Sequence, residues 1–64
     1  MSRIEQLRRI VDERQHNTVD GSQVDLFTAS AIVACYDAGS DKTKQIIETA
    51  PLAKVAELSL RFVR

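Results

Sequence analysis

From Leu26 to Tyr36 the chain carries no charged side chain, and this stretch limits what the rest of the molecule can be. Asp25 precedes it and Asp37 follows it, with only Thr28 and Ser30 as polar interruptions. At about 100° per residue, Phe27, Ala31, Ala34, Cys35 and Ala38 form one apolar arc, and Leu26, Ala29, Ile32, Val33 and Tyr36 form a second. A helix that is apolar on nearly every side must be covered on more than one flank. Residues 25–38 are too few to cross a bilayer, so protein must do the covering. The segment is therefore expected to be the central helix, with Phe27, Ile32 and Tyr36 at the heart of the packing. Asp25 suits its N-cap, placing a carboxylate at the positive end of the helix. Gly39 suits the position just past its end, where a left-handed residue often closes the last turn.

The segments on either side supply the cover. Residues 2–15 read as an amphipathic helix, with Ser2 and Glu5 spaced as a capping box and Ile4, Leu7, Ile10 and Val11 on one arc. Glu5 with Arg9 and Arg8 with Asp12 are spaced for ion pairs along its wet face. The period breaks at residues 16–24, where Asp20-Gly21 signals a turn and Thr18-Val19 and Gln23-Val24 fit a very short hairpin. After Gly39, Ser40 can cap a short helix over 41–49 whose main apolar contacts are Ile46 and Ile47. Pro51 ends that helix or starts the last one, over 51–63. There Leu52, Val55, Ala56, Leu58, Leu60, Phe62 and Val63 spread wider than one packing stripe requires, and Lys54, Glu57 and Arg61 make a narrow wet edge. Arg61 and Arg64 suit the negative end of that helix. The expected fold is all-α: one domain over 1–64, a compact bundle of three longer helices and one short helix.

Charge and composition narrow the function. Nine basic residues balance nine acidic ones, which is not the surplus expected of a phosphate-backbone binder. Residues 15–41 contain no Lys or Arg, so the basic groups lie in the outer segments. Every apolar run is interrupted too early for a membrane span or a secretory segment. One cysteine forms no internal disulfide, and no cluster of zinc ligands appears, so both common staples of a small fold are missing.

Each candidate for chemistry has a plainer explanation. Cys35 and His16 are the only thiol and imidazole, but no basic residue adjoins Cys35 in sequence, and small buried filler accounts for it. Asp20 and Asp25 lack the alternating acidic ladder of a calcium loop and are accounted for by a turn and a cap. Residues 28–49 can be read as helix–turn–helix around Gly39, with Lys42, Thr43, Lys44 and Gln45 as DNA contacts, against which stand the zero net charge and Asp41 and Glu48 in the same helix. A membrane-surface role would want a fuller basic rim than Lys54, Arg61 and Arg64. No catalytic, cofactor or metal site is therefore expected, and no small-molecule substrate.

The string Val19-Asp20-Gly21, followed by Val24-Asp25-Leu26-Phe27-Thr28-Ala29-Ser30-Ala31-Ile32-Val33 and Tyr36-Asp37-Ala38, resembles small uncharacterised proteins encoded by phages of actinobacteria. Pro51 and Val55-Ala56 fall where that pattern has a proline and a final amphipathic helix, so the likeness spans most of residues 19–63. The resemblance brings no activity, cofactor or catalytic residue with it. It implies expression in the reducing cytoplasm of a bacterial host, consistent with an unpaired thiol.

The sharpest functional feature is the apolar excess. A chain of this length hides only about 60% of its unfolded surface. The surplus on the second and last helices therefore points to a non-enzymatic interaction module that docks onto a second copy or a host protein, with Leu58 and Phe62 as the expected contacts. The alternative is a small DNA-binding regulator using residues 40–49.

Overall fold

A computed structural model of the chain describes residues 2–14, 17–19 and 21–62. The readings placed on His16 and Asp20, and the ends of the first and last helices at Gln15, Val63 and Arg64, lie outside the described residues. In chain order the elements are α1 (Arg3–Glu13), β1 (Asn17–Val19), β2 (Ser22–Val24), α2 (Leu26–Ala38), α3 (Asp41–Thr49) and α4 (Leu52–Phe62). The fold is an all-α helical bundle carrying one small hairpin.

Local chemistry starts each helix. Ser2, Asp25 and Ser40 are all extended N-caps whose side chains accept from the backbone N–H three residues on, at Glu5, Thr28 and Thr43. Pro51 has no N–H to lose, and its carbonyl accepts from Val55 N at 3.1 Å to open α4. In the hairpin Thr18 pairs with Gln23 and Val19 with Ser22, and Gly21 takes φ +81° in the turn. Val19 and Val24 share one face and are buried, while Thr18 and Gln23 point to water.

The core forms around α2. Ala29 and Ile32 are fully buried in it, with Leu7 of α1, Val19 of β1 and Val55 of α4 almost or wholly so. Ile4 and Ile10 of α1, Val24, Ile47 of α3 and Leu52 of α4 complete the cluster. Tyr36 is half-buried against it.

The structure corrects several expectations. Phe27, expected at the centre, is 67% exposed: the arc holding Leu26, Ala29, Ile32, Val33 and Tyr36 turns inward for most of its length, and Phe27, Ala34 and Ala38 face water. Ile47 is buried but Ile46 is 40% exposed, since consecutive residues of a helix cannot share one face. Ser59 of α4, absent from the apolar reading, is buried at the 52–55–59 spacing. Arg8 and Arg9 do not take the expected partners Asp12 and Glu5. Arg9 Nε donates to Glu13 Oε2 at 3.2 Å, and Arg8 forks across to both carboxylate oxygens of Asp37 on α2.

Two turn positions differ in kind. α1 ends one residue after Glu13, at Arg14 in the left-handed region (φ 55°), whose N–H donates to the Ile10 carbonyl. Gly39, expected to be left-handed, is extended at φ −84° and ψ 165°. Its reason is steric: a Cβ there would stand 2.7 Å from Thr43 Cγ2 and 2.9 Å from the Cys35 carbonyl oxygen.

Gly39→Ala should therefore destabilise the fold by about 1–3 kcal/mol through overpacking, read as a lower urea midpoint at unchanged m. At Arg14 the sign reverses. Arg14→Gly relieves a left-handed side-chain penalty and should raise stability by about 0.5–1 kcal/mol in the same assay.

Candidate functional site

α4 divides its length between core and water. Leu52, Val55 and Ser59 point inward at helical spacing, with Ala56 and Leu60 half-buried beside them. Leu58, about 60° around the helix from Val55, is 43% exposed. Phe62, which continues the stripe's spacing, is 56% exposed at the last position of α4. The two stand one turn apart, so that their side chains are neighbours. Lys54, one turn before Leu58, and Arg61 are exposed on the same side of the helix. Arg61 Nη2 donates to Glu57 Oε1 at 3.1 Å, which keeps that cation on the helix surface. The result is an apolar pair with charged neighbours on a rigid helix. Such a surface supplies hydrophobic area with little electrostatic selectivity.

Leu26, Phe27 and Ile46 are the other large apolar side chains left at least a third exposed among the described residues. Phe27 is the most open of all, at the start of α2. Sequence periodicity marked its arc as apolar but not the side that would stay uncovered.

The structure also has a shallow groove of about 190 Å³ between β2, α2 and α4, which the sequence did not reveal. Ser22, Gln23 and Thr28 give it polar walls, and Ile32, Leu52 and Ala56 are among its apolar lining. Its lining carries the hydroxyls of Ser22 and Thr28, with no His, Cys, Lys, Asp or Glu among the lining residues beside them.

The residues weighed for DNA contact are split. Lys42 and Gln45 are exposed, whereas Thr43 and Lys44 are half-buried. Thr43 lies in the Ser40 cap, its Oγ1 3.4 Å from Ser40 Oγ. Lys44 Nζ sits 5.4 Å from the centroid of the Tyr36 ring, and Arg8 Cζ lies 5.9 Å from the same centroid. Tyr36 thus gathers cations from α1 and α3 while its own helix contributes Asp37 to Arg8. The hydrogen bond from Arg8 holds the Asp37 carboxyl below its usual range, and the same bond raises Arg8. Asp37 stands near the negative end of α2, where a carboxylate is unfavourable, and Arg8 offsets that. Cys35 is half-buried and packs against the core. Among the described residues no group of three His, Cys, Asp or Glu side chains could hold a metal ion, and no helix is long and apolar enough to cross a membrane.

Comparison with known proteins found no matching family model, no matching curated protein and no matching solved structure.

The Arg8–Asp37 fork has a pH signature. Because the folded carboxyl titrates below the ordinary 3.8, its contribution is present above that value and is lost as pH falls through the folded one. Asp37→Asn should flatten the acid limb of a stability–pH profile below about pH 4 and leave the shape of the profile between pH 6 and 8 unchanged.

Proposed function

We propose that this chain is a non-enzymatic protein-interaction module that docks the apolar face of α4 onto a second copy of itself or onto another protein. The observation that supports the reading is the pair Leu58 and Phe62, exposed one turn apart on a helix that Leu52, Val55 and Ser59 anchor in the core. Such pairs, desolvated at the centre of an interface and ringed by polar groups, are where binding energy concentrates. Under the resemblance carried by residues 19–63, the chain is phage-encoded and the other protein is a host protein of the bacterial cytoplasm.

The test is Leu58→Asp. A charge at that position cannot be buried against an apolar partner without a large desolvation penalty, while the site is open enough in the isolated chain to accept it. Association of the wild-type chain, measured by sedimentation over a range of concentrations, should weaken at least about tenfold in the variant. The circular dichroism and urea midpoint should stay near wild type. Association should also respond little to salt. A steep loss with rising salt would point instead to phosphate contacts from residues 40–49. A wild-type chain that stays monomeric, and whose captured proteins from host lysate are the same with Leu58→Asp, would sink the proposal.

A further inference from the structure

We infer that α3 is a latched flap, the first part of the fold to detach, and that Arg3 is its latch. The inference is independent of the α4 surface. Burial is uneven along the chain: α1 sinks Ile4, Leu7 and Ile10, α2 sinks Ala29, Ala31 and Ile32, and α4 sinks Leu52, Val55 and Ser59, but α3 sinks only Ile47. A helix of nine residues does not hold itself together in water, so α3 persists through what fastens it.

Its polar fastenings converge on one residue, Arg3. The Arg3 guanidinium donates to the Ile47 carbonyl at 2.8 Å and to the Ala50 carbonyl, both at the C-terminal end of α3. The Arg3 backbone N–H donates to Glu48 Oε1 at 3.1 Å. Carbonyls at a helix C-terminus lack intrahelical partners and carry the negative end of the dipole, so a guanidinium there satisfies both needs. A cation in the first turn of α1 opposes that helix's own dipole. The placement of Arg3 is explained by α3, not by α1. The ammonium of Lys44 over the Tyr36 ring adds a further polar hold, and buried Ile47 adds an apolar one.

Both joints suit a segment that moves as a unit. Gly39 and Ser40 are extended on one side, and Ala50 is extended before Pro51 on the other, so α3 is continuous with neither neighbouring helix. Detachment leaves α1, α2, α4 and the hairpin with their buried side chains in place and bares Ile47 together with its seat. A partner that binds that seat would select the open state.

Hydrogen exchange on the full chain, read residue by residue by NMR at graded low urea, tests this. Amides from Gln45 to Ala50 should exchange through an opening at least about tenfold more populated than the one that releases Leu7, Ile32 and Val55. Arg3→Ala should raise exchange in α3 by about tenfold or more while moving α2 and α4 much less, since a hydrogen bond to a charged group is lost at each carbonyl. Arg3→Lys, which keeps the charge but not the fork, should fall between. Glu48→Gln, a smaller change that covers the case where Arg3→Ala does not fold, should quicken α3 alone. Exchange of α3 only through global unfolding in the wild type, or one common acceleration of every helix in the variants, would overturn the assignment.

Discussion

The constraint on which the fold depends is the covering of α2. Ile32 and Ala29 reach zero exposure because helices pack on two of its flanks: α1 delivers Ile4, Leu7 and Ile10, and α4 delivers Leu52 and Val55. The alanines matter to this arrangement. Small side chains at 29 and 31 leave room for neighbouring elements to come close without displacing Ile32. The hairpin adds Val19 and Val24, one side chain from each strand, to the same cluster. Phe27, Ala34 and Ala38 remain in water on the side of α2 that these neighbours leave uncovered.

What could be read in the sequence was local. Ser2, Asp25 and Ser40 announce their helices because a capping hydrogen bond spans only three residues, and Asp20-Gly21 announces the hairpin because the demand for positive φ is local too. The central place of residues 25–38 followed from an absence of charge. The rest needed contacts between residues distant in sequence. Arg3 meets Ile47 and Ala50, and Arg8 meets Asp37, and no periodicity announces either meeting. Gly39 shows how a right residue can be read for the wrong reason. Its composition signal fits a left-handed cap, whereas the backbone is extended and the missing Cβ makes room for Thr43. Arg14 is the converse, a left-handed cap without the glycine that would have marked it. On α4 the width of the apolar stripe was legible, and Leu58 and Phe62 were singled out from it. Ser59 was missed although the 52–55–59 spacing contains it.

The exposed pair on α4 does not arise from loose packing. A monomer of 7.2 kDa is expected to show about 4,100 Å² of surface, and this chain shows 4290 Å². Nor can α4 turn to hide Leu58. Leu58 lies about 60° around the helix from Val55, on the side away from Ala56. A rotation that buried it would carry Ala56 and Leu60 out to the surface and strip Leu52 from the core. One exposure would be exchanged for another of similar size. The apolar arc of this helix is wider than the part of it that α2 and α3 cover in this fold. Under the proposed reading, a surface from outside the chain would cover that remainder, with Leu58 and Phe62 as its contacts.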